Sequence, residues 1–341
     1  MDKTQRQNSR RGSRALLFAV TLCASLAPIL VIASDCEHSR MESFEVSSVD
    51  VQSLRIQSAQ GDLSVLSHSN GEQIEIEAQL CADRRRDLDD LEIKQWMRGD
   101  TLVIKTEIPE HYSFFWRDRH NLIHLSVSIP KGMDLKIEDG SGAIEVAGAG
   151  NTNIQDGSGG IHVRDIAGEL SIEDGSGSID ASNIARQVWI DDGSGSIFLT
   201  SAKTVHIEDG SGPIEVKDIQ GDVTIADGSG EIIVSSVTGL VDIEDGSGVI
   251  ELNRVDKQVY VTDGSGDINI EDVMGDVIIG TDGSGSISVA RAKKSVEIAN
   301  DGSGNVDIDT VGEGLRILNK GSGNIAYDRV EGEIFLPRHL R

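Results

Sequence analysis

The chain has 341 residues, with 57 acidic against 31 basic side chains and a formal net charge of −26. A field of that sign repels nucleic acid and anionic lipid, and it suits solubility, cation binding or a basic partner. Gly at 38 and Pro at only 5, with ample Ile and Val, is not a disordered composition and points to tight turns between short strands.

Residues 1–34 read as a secretory signal peptide. Lys3, Arg6, Arg10, Arg11 and Arg14 stand against a single acid, Asp2, and the apolar run Ala15–Ala33 follows. Val31-Ile32-Ala33 offers small-residue cleavage chemistry, with the cut after Ala33 or Ser34. The run is also about long enough for a retained membrane anchor, which is the alternative. Ser9-Arg10-Arg11 matches a twin-arginine signal weakly, because Arg14 occupies a position that wants an apolar residue. Without this segment the chain keeps 26 basic and 56 acidic residues, a net charge of −30. No stable membrane insertion is then expected, and the location is extracytoplasmic: periplasmic, outer surface or secreted. Cys23 leaves with the signal. Cys36 and Cys81 remain as a possible disulfide in an oxidising compartment, worth roughly 4 kcal/mol in the chain-entropy model. Two free thiols are the alternative.

Residues 35–137 read as a β-rich capping region. Ser53-Leu54-Arg55-Ile56, Asp62-Leu63-Ser64-Val65, Gln73-Ile74-Glu75-Ile76 and Leu102-Val103-Ile104 alternate in polarity, and Ser69-Asn70-Gly71-Glu72 and Arg98-Gly99-Asp100 read as turns. Arg84-Arg85-Arg86, followed by Asp87, Asp89 and Asp90, reads as a solvated loop. Tyr112, Phe114, Phe115 and Trp116 bring four of the chain's twelve aromatic residues together. Exposed, they would form a binding patch for sugar or protein; buried, they would plug the end of the fold. His120 and His124 share a strand face but lack the carboxylate or Cys support of a metal site.

From residue 138 to 337 the chain repeats itself. Asp-Gly-Ser-Gly starts at Asp139, Asp156, Asp174, Asp192, Asp209, Asp227, Asp245, Asp263, Asp282 and Asp301, and an eleventh copy begins with Lys320; the spacings are 17 to 19 residues. Counting from the Asp, position 6 is Ile in ten of the eleven copies, with Val306 the exception. Position 8 is apolar as well, from Val146 to Tyr327, and positions 11, 15 and 17 complete the apolar set. Two short runs of period 2 with β-branched residues mean two strands, each with one buried face. A single repeat cannot bury that face alone, whereas stacked repeats place Ile over Ile. The expected fold is all-β: a single-chain parallel β-solenoid, a right-handed β-helix of about eleven coils, rising about 4.8 Å per coil. Its inward columns hold almost no Phe or Trp, so no ligand cavity is expected in the bore. Residues 338–341 form a short C-terminal tail.

Asp-Gly-Ser-Gly then reads as a structural turn ladder. Two glycines supply positive φ, and the Asp carboxylate accepts hydrogen bonds from backbone N–H groups just ahead. The functional alternative is an acidic edge of ten carboxylates able to bind Ca²⁺ weakly. The nine-residue Gly-Gly-x-Gly-x-Asp calcium repeat is absent, and no ordered metal or cofactor is expected. There is no His-Glu-x-x-His, Gly-x-Ser-x-Gly or P-loop pattern. Coils of such even length leave no place for the unique cleft of a β-helical polysaccharide lyase or hydrolase, so no enzyme is expected.

Ile129-Pro130-Lys131-Gly132, then Leu135-Lys136-Ile137, then the Gly-Ser-Gly-x-Ile-x-Val repeats resemble the bacterial putative-adhesin domain of unknown function, related in style to autotransporter adhesin heads. The resemblance covers roughly residues 40–336. It implies an extracytoplasmic β-solenoid and brings no catalytic or metal residues. No membrane-barrel or cell-wall sorting pattern accompanies it. The expected role is a binding or scaffold protein of the bacterial envelope, its partner an envelope protein or glycan. A polymerising bactofilin-like scaffold and a calcium-responsive rod are the rival readings.

Overall fold

A computed structural model describes residues 36–69, 71–109 and 121–337. The signal segment 1–34, the aromatic residues Tyr112, Phe114, Phe115 and Trp116, and the tail 338–341 lie outside the described residues. The body is a parallel β-solenoid of two sheets, each of fifteen strands. Every coil contributes one strand to each sheet. In a typical coil Ile161–Ile166 lies in the first sheet and Leu170–Asp174 in the second. Ile161, Val163 and Ile166 point inward from the first, and Leu170 and Ile172 from the second. Equivalent residues pair in register, Ile161 with Ile179 and Ile172 with Ile190, and this continues along the rod. The core is therefore a set of aliphatic columns, almost all with relative exposures of 0–3%. Burying each Ile or Val stabilises the fold by about 1.5–3 kcal/mol.

The two glycines of each Asp-Gly-Ser-Gly corner have different reasons to be glycine. Gly177 has φ 146°, in the region that disfavours side chains, and a Cβ on it would overlap the carbonyl oxygen of Gly159 in the coil before. Gly175 does not have positive φ, contrary to the expectation that both glycines would. It is glycine because a Cβ would lie 2.5 Å from the Gly157 carbonyl oxygen. Stacking distance, more than turn angle, demands the first glycine.

The opposite corner uses no such motif. One residue per coil there adopts the left-handed conformation: Asp165, Asn183, Ser201, Asp218, Ser236, Arg254, Asp272, Arg291, Thr310 and Arg329, with φ between 50° and 59°. This conformation costs a non-glycine residue about 1–2 kcal/mol. It turns the backbone so that the next residue, such as Ile184 after Asn183, again points inward.

Longer repeats are accommodated without disturbing the stack. Between Asp263 and Asp282 the extra residue is Gly280, a bulge: Val261 pairs with Ile279 and Thr262 with Thr281. The register is restored before the Asp arrives.

The N-terminal region continues both sheets rather than sitting beside them. β1 spans His38–Ser47, β2 Ser53–Gln57, β3 Leu63–His68 and β4 Gln73–Ala82. A one-turn helix, α1 (Arg85–Leu88), leads to β5 (Glu92–Arg98), β6 (Thr101–Glu107) and β7 (Leu122–Pro130). The first repeat coil is β8 (Asp134–Glu138) with β9 (Ile144–Ala147). In space β2 lies between β6 and β8, and β3 between β7 and β9, all parallel. Two coils of non-repetitive sequence thus precede the repeats. Antiparallel pairs, β1 with β4, β4 with β7 and β5 with β6, close that end. Cys36 and Cys81 form a disulfide at its rim. Arg84-Arg85-Arg86, read as a loop, enters α1, whose Leu88 and Asp87 are buried. At the other end, Tyr327, Ile334 and Phe335 are exposed, because the strands carrying them have a described neighbour on one side only.

Candidate functional site

The Asp residues of the repeat do not form an open edge. Asp156, Asp174, Asp192, Asp209, Asp227, Asp245, Asp263, Asp282 and Asp301 are all buried, at relative exposures of 1–8%. Only Asp139, in the first repeat coil, is half-buried. The cause is the strand alternation itself. Leu170, Ile172 and Asp174 are two residues apart, so the Asp is the third inward residue of its strand. The nine carboxylates pair in register from coil to coil, about 4.8 Å apart.

Seven of the nine carboxylates, those of Asp156 to Asp263, tie their own corners. The Ser N–H two residues on donates to Oδ1: Ser176 to Asp174 at 3.2 Å, Ser229 to Asp227 at 3.1 Å, Ser265 to Asp263 at 3.0 Å. Oδ2 of Asp156, Asp174, Asp192, Asp209, Asp227, Asp245 and Asp263 is buried and accepts no hydrogen bond. Burial is the first cause that raises these carboxyls, and neighbouring carboxylates add to it at Asp174, Asp192, Asp227 and Asp263. Asp192, Asp227 and Asp263 are pushed up to about 6, and Asp282 to about 7. Asp139 also reaches about 6, mainly by burial.

The eleventh copy carries Lys320 where the others have Asp. Its ammonium is buried and lies 2.9 Å from Oδ2 of Asp301, both side chains being fully covered. It also donates to the Gly304 carbonyl at 2.8 Å and to the Ser322 carbonyl. The column of acids thus ends on a base.

Above the column, the outer face of the second sheet is acidic. The nine repeat strands from Thr152–Asp156 to Val296–Ser303 contain no Lys or Arg. Glu173, Asp191, Glu208, Asp242 and Glu244 are exposed on that face. A shallow groove of about 620 Å³ runs along the corner, lined by Asp191, Glu208 and Glu244 and floored by Asp192, Asp209, Asp227 and Asp245. Trp189 and Tyr260 are partly exposed on the same face. Basic residues collect instead on and beside the opposite corner, where Arg291 pairs with Glu271 and Asp272 at 2.7 and 2.6 Å.

A second groove, of about 590 Å³, crosses β2, β6 and β8 and includes Arg55, Arg98 and Lys136. Arg55 is committed to Glu138 at 2.7 Å, and that ion pair, with a hydrogen bond from Gln57, draws Glu138 down to about 2. His124 is buried with Nδ1 accepting from the Asp62 N–H at 3.1 Å, a structural contact. Among the described residues no three His, Cys, Asp or Glu side chains converge to hold a metal ion. No helix among them is long and apolar enough to cross a membrane.

One family match, over residues 51–270, takes in the coils that precede the repeats and the repeat coils as far as Ile270. The chain belongs to the Toastrack DUF4097 family. Comparison with curated proteins returns no match. Solved structures similar to this Toastrack chain include the following three. One, titled a putative cell adhesion protein from Clostridium sporogenes, is 12% identical, covering 63% of this chain and 99% of its own, with a TM-score of 0.31. A putative adhesin from Bacteroides fragilis is 12% identical, covering 85% and 97%, with a TM-score of 0.24. A putative lipid binding protein from Parabacteroides distasonis is 17% identical, covering 84% and 96%, with a TM-score of 0.28.

The Asp residues stand two positions beyond the last apolar one, and the alternation points them inward only because the strand runs on into the corner. The sequence alone offers a turn ladder or an open acidic edge for these residues, and neither is a buried column. The cation-free outer face was legible, once strands and faces are assigned.

Proposed function

We propose that this Toastrack protein is a non-enzymatic, extracytoplasmic rod of the bacterial envelope that acts as an adhesin-like binding or scaffold protein. Its contact surface is the acidic outer face of the second sheet, and its partner is an envelope protein or glycan bearing cationic groups. The observation that carries this reading is the run of nine stacked strands without Lys or Arg, with Asp191, Glu208 and Glu244 along a groove. Like charges on adjacent strands weaken a sheet. A surface that carries them over many coils gains when a cationic partner neutralises them, and complementary charge speeds and orients the encounter. The even coils support a repetitive contact surface better than a catalytic cleft. The export signal read in residues 1–34 supports the location.

The test is capture of envelope components by the purified protein, compared with Asp191→Asn/Glu208→Gln/Glu244→Gln. The wild type should retain partners that elute as salt rises past the range where the Debye length falls below about 8 Å, and the variant should lose them. Equal capture by the two proteins, or none by the wild type, overturns the reading.

A further inference from the structure

We propose that the stacked Asp side chains inside the rod form a proton-binding column, so that the solenoid takes up protons as it folds and is held more tightly in mild acid than at neutral pH. The geometry carries this. Nine carboxyls occupy consecutive in-register positions about 4.8 Å apart, all buried, and all nine keep an oxygen that accepts no hydrogen bond. Such a row cannot be fully ionised, because like charges at that spacing in a low-dielectric interior repel strongly. A proton on every second carboxyl removes the repulsion and supplies an O–H donor beside an orphaned oxygen.

The groups facing the column from all sides leave few other routes to neutrality. On its own sheet, the flanking outward residues Glu173, Asp191, Glu208 and Glu244 are acidic. At the corner, Glu231 and Asp267 are exposed acids. From the first sheet, the buried residues of the repeat coils are Ile, Val, Leu and Ala, none ionisable. The buried base is Lys320, at one end, where it meets Asp301. Its attraction reaches Asp282 but is outweighed there by burial and by Asp301 and Asp263. The upward displacement of Asp192, Asp227 and Asp263 to about 6 agrees with this arrangement. A group whose folded value is raised binds more protons folded than unfolded. Its contribution is therefore complete below the unfolded value near 4 and is lost as pH rises through about 6 to 7.

The experiment is a carbon NMR titration of Asp side-chain carboxyls in the purified protein, joined to denaturant unfolding at about pH 5 and about pH 8. Several Asp carboxyls should titrate with midpoints near 6, about a hundredfold tighter for protons than a free Asp, and the unfolding midpoint should be higher in acid. The variant Asp209→Asn/Asp227→Asn/Asp245→Asn should lose much of that pH dependence, whereas Glu208→Gln/Glu244→Gln should keep it. If the triple variant does not fold, the wild-type titration still decides. The proposal is overturned if every Asp carboxyl titrates below about pH 5, or if the triple variant folds and keeps the full dependence. It is also overturned if calcium chloride or spermidine at about pH 8 raises the midpoint as far as acid does and abolishes the titration, since the column would then hold cations in place of protons.

Discussion

The two corners of each coil differ in how much they demand of the sequence. At one, Asp-Gly-Ser-Gly recurs almost unchanged for eleven coils; at the other, Asn183, Arg254 and Thr310 adopt the same left-handed conformation with unrelated side chains. At the first corner successive backbones approach so closely that a Cβ on Gly175 or Gly177 would strike the coil before. The Asp there is also buried and must close its own turn. At the second corner the side chain points to solvent, so any residue able to bear the backbone strain serves. Sequence invariance in this rod follows steric demand and burial, and it does not by itself mark a ligand site.

Substitutions at the two corners test that contrast. The largest effect is expected from Gly230→Ala, which places a methyl against the Gly212 carbonyl at φ 158°. It should cost about 4 kcal/mol, near the upper end for single changes, while Arg254→Ala at the opposite corner should stay within about 1 kcal/mol; unfolding in denaturant measures both. Equal losses would remove the steric account.

Lys320→Met should follow, at about 3 kcal/mol, because it strands the buried Asp301 carboxylate without its ammonium. Hydrogen exchange should show the loss concentrated in the last coils, since contacts in a solenoid run only between neighbours. Uniform loss along the rod would contradict it.

The pH response should distinguish the repeat coils from the N-terminal end. The Asp column strengthens the repeats as pH falls from about 7 toward 4. Glu138, drawn down to about 2 by Arg55, behaves oppositely. Its contribution is present above the unfolded value near 4.3 and is lost as pH falls through about 2. Stability should therefore peak in mild acid, and Arg55→Met should weaken the protein at neutral pH without altering the rise between about pH 7 and 5.

The smallest effect is expected from Arg254→Gly. Relief of the left-handed strain and the greater backbone freedom of glycine nearly offset one another, leaving a gain of about 0.5 kcal/mol. A loss above about 1 kcal/mol would show that the arginine side chain, which hydrogen bonds Ser236 at 3.2 Å, matters more than its backbone.

Much of the fold was legible. Ile at position 6, the second apolar residue two places on and the pair before the next corner specify two inward faces, and their recurrence specifies stacking. The first two coils were not legible as coils. β2 and β3 fall between β6–β7 and β8–β9 in space although β6 and β7 come later in the chain, and no local pattern encodes that insertion. The sequence likewise marked Asp-Gly-Ser-Gly as a corner but left the direction of its carboxylate open.

The repeat length, the apolar columns and the acidic balance follow from the amino-acid order, because they depend on local alternation and on counting. Tertiary structure alone decided that Gly175 is required by the coil before it and that Gly280 absorbs an insertion as a bulge. It also decided that the Asp residues become one buried column closed by Lys320. The physical reason is the same in each case: the deciding contact lies one coil away, 17 to 19 residues distant in the chain and about 4.8 Å distant in space.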